Sequence, residues 1–251
     1  MAETTEISWT HSTFNPWIGC TKVSPGCDHC YAERDMAIRR GRVVWGAGQA
    51  RSRTGEDYWK KPLTWNRKAA KSGQPWRVFC ASLADVFDHE VPDEWRADLW
   101  ALIAATPALT WLLLTKRIGN APTRIPSNVW IGASMVNQEE YDRDIRKLLA
   151  KDAPVRFISA EPLLGPIQLR QPTADWIIVG GESGPRARGM QLEWARALRD
   201  QCAAAGVAYF CKQLGSHPIE SGERLLLRDR AGADPTEWAS QLRVQEFPNA
   251  A

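Results

Sequence analysis

Six short and almost continuous apolar runs constrain the fold of this chain more than any other feature. They lie at residues 76–81, 109–114, 129–133, 155–159, 176–179 and 207–211. Runs of this length suit β-strands that are buried on both faces. Three segments between them have apolar side chains at helical spacing, at residues 93–105, 139–150 and 192–205. Strands that alternate with helices predict a mostly parallel sheet with right-handed crossovers.

The length and composition fit one α/β domain. A chain of 251 residues, 44% hydrophobic and 24% charged, is globular in composition and ordinary in length for a (β/α) barrel. We therefore expect a single domain over residues 1–251, a partial or full (β/α) barrel of six to eight mostly parallel strands. Residues 41–73 interrupt the alternation of predicted strands and helices, which indicates an insertion. The tail from about residue 215 has weak periodicity and predicts irregular structure.

The polar N-terminus and the lengths of the apolar runs indicate the cellular compartment of the protein. The polar, acidic N-terminus does not have the character of a signal peptide. No run of about 18 apolar residues predicts a transmembrane helix. We expect a cytoplasmic protein with no membrane partner. In a reducing cytoplasm, clustered thiols are more often metal ligands than disulfides.

Polar residues follow each of the apolar runs at once. In α/β barrels the active-site groups project from the carboxyl ends of the strands, so the repetition predicts one shared site. The alternative is that turns are polar in any protein. Lys116, Glu161 and Lys212 are the candidates for substrate binding or proton handling. The other strand-end residues in this set are Ser82, Asp85, Thr115, Arg117, Ser134 and Gln213.

The segment Gly-Gly-Glu-Ser-Gly follows the fifth apolar run. Gly180 and Gly181 would let the backbone approach a ligand closely. The carboxylate of Glu182 can accept hydrogen bonds from an amine or a ribose. The same five residues would also suit a plain turn.

Three of the six cysteines lie close together, in the pattern Cys20-x6-Cys27-x2-Cys30. Thiolates are soft ligands that select zinc, Cu(I) or iron–sulfur clusters. A structural zinc site needs four ligands, whereas a four-iron cluster held by three cysteines keeps one iron open. S-adenosylmethionine (SAM) can fill the open place through its amino and carboxylate groups.

Other interpretations of the cysteines stay open. Zinc would need a fourth ligand, and His11 or His29 could supply it, although His29 lies inside the Cys27–Cys30 loop and would be strained. Unligated structural thiols are a third interpretation. The remaining cysteines lie in apolar or helical surroundings and are expected to be buried small hydrophobic residues, namely Cys80, Cys202 and Cys211.

Residues 41–73 combine basic and aromatic side chains. Such a segment could clamp a phosphate backbone and stack on bases. The alternative is a solvated basic face in which tryptophan fills the core. The net charge of +3 does not decide between them. The residues concerned are Arg42, Arg51, Arg53, Lys60, Lys61, Arg67, Lys68 and Lys71, with Trp45, Tyr58, Trp59 and Trp65.

An ordered set of motifs extends from Ile7 to about Gly215, and the co-occurrence of these motifs is far more specific than any one of them. They are ISWTHSTFNPWIGC, SPGCDHCYAE, LLTKR, NVWIG, SAEPLLGPI, DWIIVGGESGPRAR and FCKQLG. Together they resemble a phage-associated, radical SAM-like three-cysteine family of largely unknown function. The cysteine spacing differs from the x3, x2 spacing that is commonest among radical SAM enzymes.

The resemblance implies a barrel of the radical SAM type, a [4Fe–4S] cluster on Cys20, Cys27 and Cys30, and SAM as cosubstrate. It places His29 where such enzymes commonly have an aromatic residue beside the adenine. Their Gly-Gly-Glu follows an early strand, whereas this one follows a late strand. The candidates for SAM binding are therefore Gly180, Gly181 and Glu182 together with Ser82 and Asp85.

The expected function is cleavage of SAM to a 5′-deoxyadenosyl radical. An external reductant such as flavodoxin or ferredoxin would supply the electron. Phage relatives make modification of a nucleotide or nucleic acid the expected substrate class, in a bacterial or phage-infected cell. The alternative is a zinc-stabilised nucleic-acid-binding protein without catalysis. A third interpretation is a redox-inactive cluster protein that partners another enzyme.

Overall fold

The computed structural model describes residue 5 and residues 7–249. The first residues, on which the argument about a signal peptide depends, lie largely outside that part. The chain divides into two compact units. The first comprises Met1–Gly132 with Lys151–Pro154, and the second comprises Ala133–Ala150 with Val155–Ala251.

The strands of the first unit form one half of a parallel sheet and a small hairpin. Strand β4 pairs in parallel with β1 on one side and with β5 on the other, and β2 pairs with β3 antiparallel. Strand β6 begins in this unit. The bounds are β1 Ser12–Thr13, β2 Trp17–Ile18, β3 Ser52–Arg53, β4 Trp76–Cys80, β5 Leu109–Thr115 and β6 Val129–Ser134.

The helices of the first unit begin and end at residues suited to those places. Asp93 and Glu94 occupy the first turn after Pro92, where carboxylates favour the helix dipole. Gly73 ends another helix in the left-handed conformation, with φ of 63°. The bounds are α1 Tyr31–Glu33, a π-helix Arg34–Arg39, α2 Glu56–Trp59, α3 Lys61–Ser72, α4 Asp93–Ala104, and 3-10 turns at Pro25–Cys27 and Ile118–Asn120.

Aromatic side chains fill the core of the first unit. The Phe14 ring lies 5.1 Å from the Tyr58 ring and 5.7 Å from the Trp111 ring, measured between centroids. Trp9 and Trp17 are also fully buried. Burial of one such side chain stabilises the fold by roughly 2 kcal/mol. These tryptophans therefore serve the packing of the first unit.

The second unit contains the other half of the sheet. Strand β8 pairs in parallel with β7 and with β10, and a three-stranded sheet has the order β12-β11-β9. The bounds are β7 Val155–Ala160, β8 Trp176–Gly180, β9 Met190–Gln191, β10 Ala208–Gln213, β11 Pro218–Glu220, β12 Glu223–Arg224, α5 Gln138–Leu149, α6 Leu192–Ala205, and 3-10 turns at Pro235–Glu237 and Ser240–Leu242.

The C-terminal tail covers the outer edge of strand β10. The Cys211 amide donates to the Val244 carbonyl, and the Trp176 indole donates to the Glu246 carbonyl at 2.9 Å. The Phe247 ring packs against Trp176 and Phe210. An uncovered edge strand would offer unpaired backbone groups to other chains, so the tail protects this edge.

The predicted α/β class is confirmed. The sheet has seven strands in the order β1-β4-β5-β6-β7-β8-β10. This number lies within the expected six to eight, and the arrangement is that of a partial (β/α) barrel. All six predicted strands and all three predicted helices are present. The three predicted helices connect β4 to β5, β6 to β7 and β8 to β10, whereas the segments between β5 and β6 and between β7 and β8 form turns and loops. The single domain with an insertion at 41–73 stays a prediction.

Two further expectations concern the tail and the membrane. The tail from residue 215 is largely irregular but contributes strands β11 and β12, which the sequence pattern did not predict. No helix in residues 7–249 is long and apolar enough to cross a membrane.

Candidate functional site

The three-cysteine loop begins directly after strand β2. Cys20 follows the strand, Cys27 ends a 3-10 turn, and Cys30 precedes helix α1. The Ser24 hydroxyl accepts a hydrogen bond from the Gly26 amide at 3.0 Å, which closes the turn that Pro25 begins. All three thiols are half-buried and none forms a disulfide.

The loop is attached to the segment that follows strand β4. The Gly19 amide donates to the Leu83 carbonyl at 3.1 Å, and the Tyr31 hydroxyl donates to the Ser82 carbonyl at 2.7 Å. The Asn15 amide side chain donates to the Ser82 hydroxyl and accepts from the Leu83 amide. The cysteines therefore lie at the carboxyl end of β4, where α/β proteins place their sites.

A buried ion pair connects the end of strand β5 to the loop. Arg117 donates from Nη1 to Asp85 Oδ2 at 3.0 Å and from Nη2 to the Thr21 carbonyl at 2.7 Å. The same Nη1 lies 3.6 Å from the Cys20 sulfur and donates to it. Asp85 also accepts from the Thr115 hydroxyl and the Lys116 amide. Strand-end groups of β4 and β5 thus position Cys20.

A second ion pair holds the same stretch of loop. Arg51 Nη2 donates to Asp88 Oδ2 at 2.6 Å and to the Thr21 hydroxyl at 2.7 Å, and both charged side chains are fully buried. Arg51 also donates to the carbonyls of Gly46 and Gln49. Breaking a buried pair of this kind leaves an uncompensated charge, so the pair fixes the loop conformation.

Burial controls the protonation of two of the loop thiols, Cys20 and Cys30. It raises the pKa of Cys20 to about 12, with a further contribution from the Asp85 charge that Arg117 opposes. Burial also raises the pKa of Cys30, although hydrogen bonds from the Glu33 and Ala32 amides and the nearby Lys116 charge act in the opposite direction. Thiols with raised pKa values are protonated at neutral pH. A metal must therefore displace protons when it binds, as thiolate ligation requires.

The donor set fits a thiolate-bound metal group in its chemistry. Three free, half-buried thiols stand on one loop, and Cys27 and Cys30 lie close enough to influence each other's charge. In the described part of the chain, however, no three His, Cys, Asp or Glu side chains converge as a metal site. Metal ligands often come together only on binding, so the loop offers the ligands without holding them preassembled.

The other expected cofactor residues of the first unit have different surroundings. His29 is exposed, between Cys27 and Cys30. The Ser82 hydroxyl is hydrogen-bonded to Asn15. Asp85 is buried, and both its oxygens are already engaged by protein donors. In this conformation Asp85 is a positioning residue for the cysteine loop.

Glu161 and Lys212 meet in the second unit. Lys212 Nζ donates to Glu161 Oε2 at 3.1 Å, and both side chains are largely buried. The pairing of β10 with β8 shifts between Cys211 and Gln213, so Lys212 is the extra residue of a bulge. Bulges redirect a side chain, and this one brings Lys212 to the residue that follows β7.

The other oxygen of Glu161 is buried and has no hydrogen-bond partner among the described atoms. Gly180 lies against it, because a Cβ at this position would be 2.5 Å from Oε1. The glycine thus leaves room for the carboxylate. An unsatisfied buried carboxylate oxygen is costly, and such groups occur at sites that bind or transfer protons.

The Gly-Gly-Glu segment packs against the tail. A Cβ on Gly181 would overlap the Leu214 carbonyl, so the backbones touch here. Glu182 is buried and accepts from the Arg188 backbone amide, from Nε, and from Nη2 at 2.7 Å. In this conformation its carboxylate is committed to Arg188.

Several side chains of the basic segment 41–73 pack within the first unit, while most of its lysines are exposed. Arg51 is buried in its ion pair, and Trp65 is 2% exposed. The Arg53 guanidinium lies 4.5 Å from the Trp59 ring and pairs with Asp98. These side chains are therefore structural, which supports the interpretation of tryptophan as core filler.

The structure adds residues that the sequence did not single out. Asp88 neutralises Arg51, and Asn15 joins the loop to Ser82. A second carboxylate three residues after Asp85 is the one signal that could have indicated Asp88. Nothing local marks Asn15, since its partners are almost seventy positions away.

Comparison with known families gives a match along nearly the whole chain. A family described as "Protein of unknown function (DUF5131)" matches residues 4–244. The chain belongs to this family. The DUF5131 match includes the three loop cysteines as well as Glu161 and Lys212. No curated protein and no solved structure matches the chain.

Proposed function

We propose that this chain is a radical SAM enzyme that holds a [4Fe–4S] cluster on Cys20, Cys27 and Cys30. When bound, such a cluster supplies an electron to SAM, whose sulfonium bond then breaks to give a 5′-deoxyadenosyl radical. The expected substrate class is a nucleotide or nucleic acid, in the phage context that the motif resemblance implies. An external reductant of the flavodoxin or ferredoxin class would deliver the electron in the cytoplasm.

One observation carries the proposal. The three free thiols stand on a loop at the carboxyl end of β4, and Arg117 from the end of β5 donates to the Cys20 sulfur. A structural zinc site would need a fourth ligand in addition to the three cysteines of the loop. Three thiols without a fourth ligand favour a cluster with one open iron.

The charged groups around the loop have definite roles in this proposal. Arg117 and Arg51 hold the Thr21 backbone and hydroxyl, and so fix the position of the adjoining Cys20. The Arg117 guanidinium also stabilises negative charge on the Cys20 sulfur. Asp85 and Asp88 keep the two guanidinium groups in place. Such partners orient and tune metal ligands.

Glu161 and Lys212 are the proposed proton-handling pair. Glu161 Oε1 is buried with no hydrogen-bond partner among the described atoms, whereas Oε2 accepts from Lys212. A carboxylate with one free oxygen can accept a proton there, and the neighbouring ammonium group can return one. The hydrogen bond from Lys212 also holds the Glu161 carboxylate in position.

Anaerobic reconstitution tests the proposal. The purified protein would be treated with iron and sulfide, and its iron and sulfide content counted. The EPR spectrum of the reduced protein would then be recorded with and without SAM. We expect about four irons and four sulfides per chain, with a signal that changes when SAM is added. Cleavage of SAM by the reduced protein would follow as 5′-deoxyadenosine.

Two variants make the test specific. Cys27→Ala should lose cluster assembly and SAM cleavage together. Cys202→Ala removes a fully buried thiol of helix α6 and should retain both. A Cys27→Ala protein that assembles a normal cluster would overturn the proposal. A colourless protein that holds one zinc and binds nucleic acid in a salt-dependent manner would support the zinc alternative instead.

A further inference from the structure

A cavity of about 660 Å³ lies in the second unit, beside the loop that follows strand β8. Small-molecule sites usually enclose about 300–1,000 Å³, and α/β proteins bind ligands at the carboxyl ends of their strands. Part of the wall comes from the tail. The wall comprises Ser183, Gly184, Pro185, Gly215, Ser216, Pro218, residues 224–227 and residues 229–231.

The floor of this cavity is held in place by a network of hydrogen bonds. The Gly184 amide donates to the Ser216 hydroxyl at 2.9 Å, and the Ser216 amide donates to the Glu182 carbonyl at 2.8 Å. Arg186 has a φ of 63°, a conformation that an arginine adopts only when its surroundings impose it. The loop is therefore preorganised, which lowers the entropy cost of binding a ligand.

Two arginines give the wall a positive charge. Neither the Arg224 nor the Arg230 guanidinium forms an ion pair with any described carboxylate, and both side chains are exposed. Arg224 donates from Nη2 to the Ser216 carbonyl at 2.9 Å, which orients its guanidinium and leaves its other N–H groups for a ligand. The one acidic residue of the wall, Asp229, is committed to its own turn, where it accepts from the amides of Ala231, Ala233 and Asp234. The arginines thus remain available to an anion.

Three consecutive leucines give the cavity wall an apolar part beside the two arginines. Leu225, Leu226 and Leu227 belong to the wall, and Leu226 is 80% exposed. An exposed large apolar side chain beside arginines that have no carboxylate partner among the described residues suits a ligand that has an anionic end and a flat apolar body. Arginine matches phosphate oxygens in a two-pronged geometry.

We propose that this cavity binds a small nucleoside phosphate, with the phosphate on Arg224 and Arg230 and the base against Leu226. The volume of the cavity, about 660 Å³, matches a single small molecule rather than a strand. The inference rests on the second unit alone and does not depend on a cluster. It holds or fails in protein that has never been loaded with iron.

Calorimetric titration of the metal-free protein tests the inference. The probes are adenosine monophosphate, adenosine triphosphate, adenosine, inorganic phosphate and a single-stranded oligonucleotide. We expect saturable binding of the nucleoside phosphates, with adenosine and inorganic phosphate each at least about tenfold weaker, because each lacks one half of the recognition.

Variants separate local contacts from general charge. Arg224→Ala and Arg230→Ala should each weaken nucleoside phosphate binding about tenfold, the loss expected for a charge-assisted hydrogen bond. Arg228→Ala removes the same charge from a neighbouring side chain that is 95% exposed and outside the wall, and should leave the affinity unchanged. Leu226→Ser should weaken binding of the nucleotide but not of phosphate.

Several outcomes would overturn the inference. These are no saturable nucleoside phosphate binding at millimolar concentration, equal losses in Arg228→Ala and Arg224→Ala, or an oligonucleotide that binds while the mononucleotides do not. Circular dichroism would show that each variant is folded. Because all the changed side chains are on the surface of the tail, both arginine variants are expected to fold.

Discussion

The Arg117 guanidinium connects the Cys20 thiol to the Asp85 carboxylate, at 3.6 Å from the sulfur and 3.0 Å from Oδ2. Both charged side chains are 8% exposed. The same guanidinium holds the Thr21 carbonyl. One side chain therefore contributes both to the stability of the first unit and to the position of a proposed metal ligand.

Replacement of Arg117 by leucine should destabilise the protein by about 3 kcal/mol, because it leaves the Asp85 charge buried without its partner. The double variant Asp85→Asn with Arg117→Leu should recover part of this loss, since no uncompensated charge remains. Urea unfolding of the wild type, both single variants and the double variant would measure the coupling. Additive losses in the double variant would contradict a specific pairing.

A further variant, Arg117→Lys, distinguishes a role in stability from a role in ligand positioning. Arg117→Lys keeps the charge but cannot donate to Asp85, Thr21 and Cys20 in the same geometry. We expect a folded protein that takes up less iron on reconstitution than the wild type. Full iron uptake with unchanged EPR signals would show that Arg117 has only a structural role.

Cysteine reactivity should divide the six thiols into two groups. The loop thiols are half-buried and accessible to a reagent, whereas Cys80, Cys202 and Cys211 are fully buried. Burial raises the pKa of Cys20, as well as that of Cys202 and of Cys211, to about 12, so access rather than pKa separates the two groups. In native, metal-free protein at pH 8, the core thiols should react at least about tenfold more slowly than Cys27.

A thiol reagent with mass mapping of the modified cysteines checks this division. Unfolding in guanidinium should make all six thiols accessible. Reconstitution with iron and sulfide should protect the loop cysteines and leave the core cysteines as they were. Modification of Cys202 before Cys27 in native protein would contradict the burial described here.

The strands could be predicted from the sequence because their signal is local. A buried parallel strand needs a short apolar run, and β4 through β8 and β10 provide one. Strand β1 could not be predicted in this way. It has two residues, Ser12 and Thr13, and exists because β4 offers them a partner more than sixty positions away.

The residues of the candidate site could be predicted from the sequence, but the hydrogen bonds and ion pairs between them could not. The cysteine spacing is visible in the sequence, and so are polar groups at the strand ends. That Asp85 binds Arg117 rather than remaining open to a ligand depends on the meeting of β4 and β5 ends. The bulge that turns Lys212 toward Glu161 arises from a shift in strand register. Such a shift leaves no signal in the hydrophobic periodicity of the sequence.

Asp144 should give the protein a pH-dependent increment of stability. Burial would raise the pKa of this carboxyl, but hydrogen bonds from Arg143 and Lys147 outweigh it and lower the pKa. A lowered folded pKa gives stabilisation that is complete above the unfolded value, about 4, and is lost as pH falls through the folded value. Asp144→Asn should cost about 0.5 kcal/mol at pH 7.

Thermal unfolding at pH 7 and at pH 3 measures this increment. The difference between wild type and Asp144→Asn should shrink at the lower pH, where the wild-type carboxyl is becoming protonated. Asp152→Asn changes a side chain that is 77% exposed and should have little effect at either pH. An equal loss from Asp144→Asn at both values would mean that charge is not the cause.

Replacement of Gly180 by alanine should displace Glu161. The added Cβ would lie 2.5 Å from Oε1, so the carboxylate must move and its contact with Lys212 must weaken. Gly165→Ala is the matched control in the same unit, because its Cβ would meet only ordinary contact at 3.6 Å from Asn137. We expect a loss of about 1–3 kcal/mol for Gly180→Ala from overpacking and almost none for the control. Equal unfolding midpoints for the two variants would mean that Glu161 adapts without cost.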